Sequence, residues 1–142
     1  HPDKNKKQTL LPGVQRLLKD LQKANVFCAL ISNDTSCGIR NFLKTNNLEE
    51  AFLTFWSADN QPTKPSADAV KKLCNLLGVL PIDCALIGDA DSDLQMARQA
   101  GVGITLGYVA GWTQSPQLSA HQHLIYHWDD LRVEAKPKLP KD

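Results

Sequence analysis

Apolar residues recur along the chain at two spacings, one that fits the faces of helices and one that fits short buried strands. Val14, Leu17, Leu18 and Leu21, entered through Pro12-Gly13, line one face of a helix expected to end near Asn25. Val26 to Ile31 is a continuous apolar run closed by Ser32-Asn33-Asp34, which predicts a buried strand. Ile39, Phe42 and Leu43 mark the inner face of a second helix, and Phe52 to Trp56 a shorter strand. After the loop Asp59 to Thr63, Lys64-Pro65-Ser66 leads into a third helix. Ser66 is its cap, Val70, Leu73, Cys74 and Leu77 face inward, and Gly78 ends it. Ala85-Leu86-Ile87-Gly88 predicts a strand that can only be buried, Asp93 to Ala100 a helix and Val102 to Leu106 a further strand. His123 to Tyr126 gives a small last strand and Trp128 to Leu131 a closing turn of helix. Strands alternating with helices predict an α/β fold, a three-layer, doubly wound parallel sheet.

Composition narrows the class. The 142 residues, 42% hydrophobic, suffice for one domain with its own core. Residues 1–10 are polar and basic and 134–142 form a Lys/Pro tail, so the core is expected over 11–133. A net charge of +1 with both signs interspersed offers no basic stripe, and nucleic acid is not expected as a partner. No apolar run is long enough to span a bilayer, and His-Pro-Asp-Lys-Asn-Lys-Lys does not read as a secretory signal, so neither a membrane nor export is expected and the cytoplasm is. Cys28, Cys37, Cys74 and Cys84 lack paired spacing, two of them fall within apolar strands, and neither disulfides nor zinc are indicated. His121, His123 and His127 crowd together without a fourth ligand and fit a surface strand. Trp56, Trp112 and Trp128 fit packing positions, with Trp112 the one placed to approach a substrate.

The chemistry concentrates where strands end. Asp89 follows Gly88 directly after an apolar strand and Asp93 comes four residues later, which puts both acids at the carboxyl edge of the sheet, where open α/β sheets hold ligands. Taken singly, each position has an ordinary explanation. Ser32 could cap a helix, Lys64 could be a solvated loop lysine, and Asp89 and Asp93 could favour the positive end of a helix dipole.

Their order carries more. Ser32 at one strand end, Lys64-Pro65 at a helix start and Gly88-Asp89-x-x-x-Asp93 at a later strand end resemble the core pattern of the haloacid dehalogenase superfamily. Within it the chain is similar to the phosphoglycolate phosphatases, through Leu11-Pro12-Gly13-Val14, the stretch from Gly88 to Ala100-Gly101, and Gly107-Tyr108. The resemblance implies a magnesium-dependent phosphatase of a small phosphorylated metabolite. In that role Ser32 hydrogen-bonds a phosphoryl oxygen, helped by the backbone N–H of Asn33, and Lys64 neutralises charge between nucleophile and phosphate. Asp89 is implied as a direct ligand of Mg2+ and Asp93 as a carboxylate orienting Lys64 or a metal-bound water.

One departure accompanies the match. Members of the superfamily attack phosphorus with the first aspartate of an Asp-x-Asp motif, on a strand that precedes every element described above. Asp3 is the only acidic residue upstream, and it lacks a preceding apolar run. The expectation is therefore a sheet missing its central, nucleophile-bearing strand. Its flanking strands expose pairing edges that an amino-terminal fragment or another chain would complete. A non-catalytic binding or regulatory module with the same fold is the alternative. A response-regulator receiver has its acids first and its lysine last, the reverse of Ser32, Lys64 and Asp89.

Overall fold

The computed structural model describes residues 13–109 and 118–134. The polar amino-terminal segment, Trp112 and all of the tail after Glu134 lie outside the described residues. In chain order the elements are α1 (Val14–Lys23), β1 (Ala29–Ile31), α2 (Ser36–Thr45), β2 (Thr54–Trp56), α3 (Ala67–Leu77), a 3-10 turn (Pro81–Asp83), β3 (Ala85–Gly88), α4 (Asp91–Ala100), β4 (Ile104–Tyr108), β5 (His123–Ile125) and a second 3-10 turn (Trp128–Asp130). All strand pairs are parallel. β1 pairs with β2, and β3, β4 and β5 form a second ladder with β4 in the middle.

Alternation along the strands sends successive side chains to opposite helical layers. From β1, Cys28 just ahead of the strand and Leu30 pack with Leu18 of α1 and Ile39 and Leu43 of α2. Ala29 and Ile31 point the other way, where Trp56 of β2 packs on Ala69 and Leu73 of α3. The adjacent face of α3 presents Val70 and Cys74 to Met96 and Ala100 of α4, and this cluster takes in both Ile31 of β1 and Leu86 of β3. One helical layer therefore spans both ladders, although among the described residues no strand hydrogen bond joins β1 to β3. This is the expected three-layer arrangement with the sheet open between β1 and β3.

Helix ends follow local chemistry. Ser66 Oγ accepts from the N–H of Asp68 at the start of α3, and Gly78, at φ 70°, ends that helix in the left-handed conformation that glycine adopts without strain. α2 is capped by Thr35, whose hydroxyl accepts from the N–H of Gly38 at 3.0 Å, so Ser32 is left free of the capping role its sequence allowed. Thr35→Ala is expected to cost about 1 kcal/mol of stability, read as a lower urea midpoint at unchanged slope.

Several boundaries differ from the sequence expectation. The first strand begins at Ala29 rather than Val26, because the N–H of Val26 still bonds back to the carbonyl of Leu21 and closes the end of α1; Val26 and Phe27 are exposed. The strand after α4 starts at Ile104 rather than Val102 for the same reason, the N–H of Val102 being held by the carbonyl of Ala97. β2 starts at Thr54, leaving Phe52 to pack beneath α1 and α2, and α4 starts two residues early, at Asp91. Cys28 and Cys84 each stand one residue ahead of a strand and are half-buried, and all four thiols are free.

The largest correction concerns β3, expected to be fully buried. Ala85 is exposed and Ile87 retains 38% of its accessible surface. β3 pairs along one edge only, and among the described residues no helix packs on the face bearing Ala85 and Ile87, whereas an apolar run of this kind suits a strand paired and covered on both sides. Further along the second ladder, Tyr108 stacks on Trp128 with ring centroids 4.3 Å apart, closing the core beneath Leu106 and Ile125. No described helix is long and apolar enough to cross a membrane.

Candidate active site

Ser32 is the first residue beyond β1. Its N–H continues the ladder to the carbonyl of Trp56 at 2.9 Å, and its Oγ accepts from the N–H of Asp34 at 3.0 Å, which tightens the turn into α2. Asn33 is exposed, and its side-chain amide donates to the carbonyl of Lys64 at 3.0 Å. The loop after β1 is thereby tied to the loop before α3.

From there Lys64 reaches across to α4. Its Nζ lies 2.9 Å from Oδ1 of Asp93, with the two side chains 24% and 11% exposed. The contact is close but not aligned as a hydrogen bond, so the buried Oδ1 keeps an unused lone-pair direction. Asp93 packs closely against Gly88, which has no side chain to crowd it. A Cβ at Gly88 would stand 3.0 Å from the Cβ of Asp93 and 3.4 Å from its Oδ2. Asp89, one residue past β3, is exposed.

Contacts thus run from the Ser32-Asn33 turn through Lys64 to Asp93 and the Gly88-Asp89 step, joining positions spread over more than 60 residues of sequence. Ser32, Asn33, Lys64, Asp89 and Asp93 each fall on this path or one residue from it. The crowded histidines do not gather into a metal cage among the described residues. His127 Nδ1 instead accepts from the N–H of Asp129 and caps the last turn, while the side chain of His121 lies over Gly107.

Sequence reasoning missed Asp91, which opens α4 between the two motif acids. Its carboxylate accepts from the N–H groups of Ser119 and Ala120 at 2.7 and 2.9 Å, from Ser119 Oγ at 2.9 Å and from Gln95 Nε2 at 2.7 Å. These donors, led by the Ser119 amide, hold its pKa down to about 2. Gln95 was findable, being one helical turn away, but the Ser119 partnership spans 28 residues and leaves no local sequence signal.

Lys64 and Asp93 meet beyond the strand ends of a parallel α/β sheet, with Ser32 one residue past β1 and Asp89 one residue past β3. The family model described as haloacid dehalogenase-like hydrolase matches residues 1–106, and the chain belongs to that family. It is 33% identical to phosphoglycolate phosphatase of Pseudomonas putida, over 86% of this chain and 44% of that protein. It is 32% identical to phosphoglycolate phosphatase of Pseudomonas syringae pv. tomato, over 93% of this chain and 48% of that protein. The chain thus spans about half the length of the curated relatives it matches. Among solved structures, one from Haemophilus somnus described as a predicted phosphoglycolate phosphatase superposes with a TM-score of 0.78 at 21% identity, covering 86% of this chain and 55% of that one. A hydrolase of the same superfamily from Ehrlichia chaffeensis gives 0.73 at 24% identity, covering 89% and 58%. Both likenesses are of fold, and they place the described elements in the haloacid dehalogenase core.

Proposed function

We propose that residues 11–133 are the carboxyl-terminal part of a magnesium-dependent phosphatase acting on a small phosphorylated metabolite. The observation that carries the reading is the Lys64–Asp93 pair, 2.9 Å apart and mostly withdrawn from water beside the Gly88-Asp89 step. A partly buried ion pair beyond the strand ends is a costly way to gain stability but an effective way to hold a cation where phosphate charge must be neutralised.

The donor set suits Mg2+, which takes one or two carboxylates and fills its remaining positions with phosphate and water. Asp89 is open to solvent, and Oδ1 of Asp93 retains an unused lone pair, so Asp89 holds the ion and Asp93 orients Lys64 or a bound water. The bound ion supplies charge stabilisation to the phosphoryl oxygens. Ser32 and the N–H of Asn33 bind a phosphoryl oxygen, and Lys64 balances charge between the attacking carboxylate and phosphorus. The attacking group is an aspartate supplied from outside these residues. Its carboxylate displaces the alcohol of the monoester to give an aspartyl phosphate, and water then releases inorganic phosphate and restores the carboxylate. The opening between β1 and β3 supports this, because both strands end at the site and share the helical layer formed by α3 and α4, yet they do not pair. A strand entering there would place its carboxyl end between Ser32 and Asp89.

The test is phosphate release by the natural protein that carries this chain, with any partner retained, using 2-phosphoglycolate and other small monoesters. Hydrolysis with magnesium that stops in EDTA is expected. Binding of phosphate monoesters without turnover at any metal concentration would overturn the reading in favour of a non-catalytic module.

A further inference from the structure

We infer that Asp91 is a positioning residue that fixes the metal-binding turn by clasping the segment that follows β4. This rests on the reading of Asp89 as a magnesium ligand. The turn from Gly88 to Asp91 carries Asp89 between a strand and a helix, and Asp89 itself has no hydrogen bond or ion pair among the described residues to hold it. One end of the turn is set by pairing of Gly88 with Gly107 in the β3–β4 ladder. The other end is set by Asp91. Its Oδ1 accepts from two consecutive backbone N–H groups, those of Ser119 and Ala120, and its Oδ2 accepts from Ser119 Oγ and Gln95 Nε2.

The clasped segment is anchored in turn. Gln122 N–H donates to the carbonyl of Thr105 and Gln122 Oε1 accepts from the N–H of Thr105, both at 2.9 Å. Thr105 Oγ1, on a side chain wholly buried under this segment, donates to the carbonyl of Ala120 at 3.1 Å. The start of α4 is thus bolted through Asp91 to residues 119–122, and these are bolted to the middle strand of the ladder. Both ends of the Asp89 turn then refer to β4, so the turn cannot shift relative to that strand without breaking several bonds at once. Groups that orient a ligand without touching the metal commonly account for 10- to 100-fold in affinity.

The experiment measures Mn2+ affinity by paramagnetic resonance and Mg2+ affinity by competition, in the natural protein that carries this chain, for Asp91→Ala, Asp91→Asn and Asp89→Asn. Asp91→Ala removes all four bonds. Asp91→Asn keeps an oxygen for the two backbone N–H groups but puts a donor where Ser119 Oγ and Gln95 Nε2 find an acceptor, so it weakens the clasp without removing it. Metal dissociation constants should rise about tenfold for Asp91→Ala and about threefold for Asp91→Asn, with turnover at saturating metal kept within about threefold. A purely structural Asp91 would lower the thermal midpoint while leaving metal affinity unchanged, and that result overturns the inference. If Asp89→Asn leaves metal affinity unchanged, it is the metal assignment that fails, a distinct result from failure at Asp91 alone.

Discussion

Asp89→Asn is expected to reduce phosphate release about a thousandfold while leaving the unfolding midpoint where it was. The two halves of that expectation have separate origins. Asp89 is exposed and makes no hydrogen bond or ion pair among the described residues, so exchanging a carboxylate oxygen for an amide disturbs no packing and no buried partner. Surface changes of this kind stay within about 0.5 kcal/mol. On the proposed reading, the same exchange removes the anionic oxygen that holds the cation. A loss of about 4 kcal/mol in transition-state charge stabilisation corresponds to the thousandfold fall. Measuring turnover and thermal unfolding on one preparation checks both at once. A variant that unfolds earlier in proportion to its lost activity would show Asp89 to be a structural acid, and a variant of full activity would remove it from the site.

How far the site could be read from sequence depends on how local each signal is. Gly88-Asp89 and Asp93 lie on one strand–turn–helix unit, and Ser66 and Gly78 bracket a helix with caps that act over a few residues, so all were legible. Strand limits were less so. Val26 and Val102 are apolar and β-branched, yet each is held back by the helix that precedes it through a backbone bond to the carbonyl five residues earlier. Propensity lost there to a helix-ending hydrogen bond that carries no side-chain signature. The exposure of Ile87 was hidden for a different reason, since an apolar run records the neighbours a strand is built for, and only the coordinates show which are within reach. Asp91 was hidden because two of its four donors are backbone N–H groups 28 and 29 residues downstream, a partner type that any residue can offer.

The second large effect lies in the Lys64–Asp93 pair, and here stability and activity are expected to separate. Lys64→Met leaves the Asp93 carboxylate in a corner where its side chain is only 11% exposed and its Oδ1 is buried without a hydrogen bond. Stranding a charge in such a place costs about 3–5 kcal/mol when burial is complete; partial exposure brings the expected loss to about 2–3 kcal/mol. Asp93→Leu should cost less, because the lysine, at 24% exposure, can turn its ammonium toward water along its flexible stem. The double variant, Lys64→Met with Asp93→Leu, exchanges the pair for two apolar side chains of similar size, and it should recover most of the stability that Lys64→Met alone loses. Phosphate release should be lost in all three if Lys64 and Asp93 act as proposed, since none retains both charges. Urea denaturation of the four proteins, set beside their phosphate-release rates, gives the coupling energy directly. A double variant whose loss of stability equals the sum of the two single losses would mean that the two charges do not depend on one another. A stable but inactive double variant would mean that the ion pair is retained for what it does to phosphate, at a site where two methylene-rich side chains would have served the fold equally well.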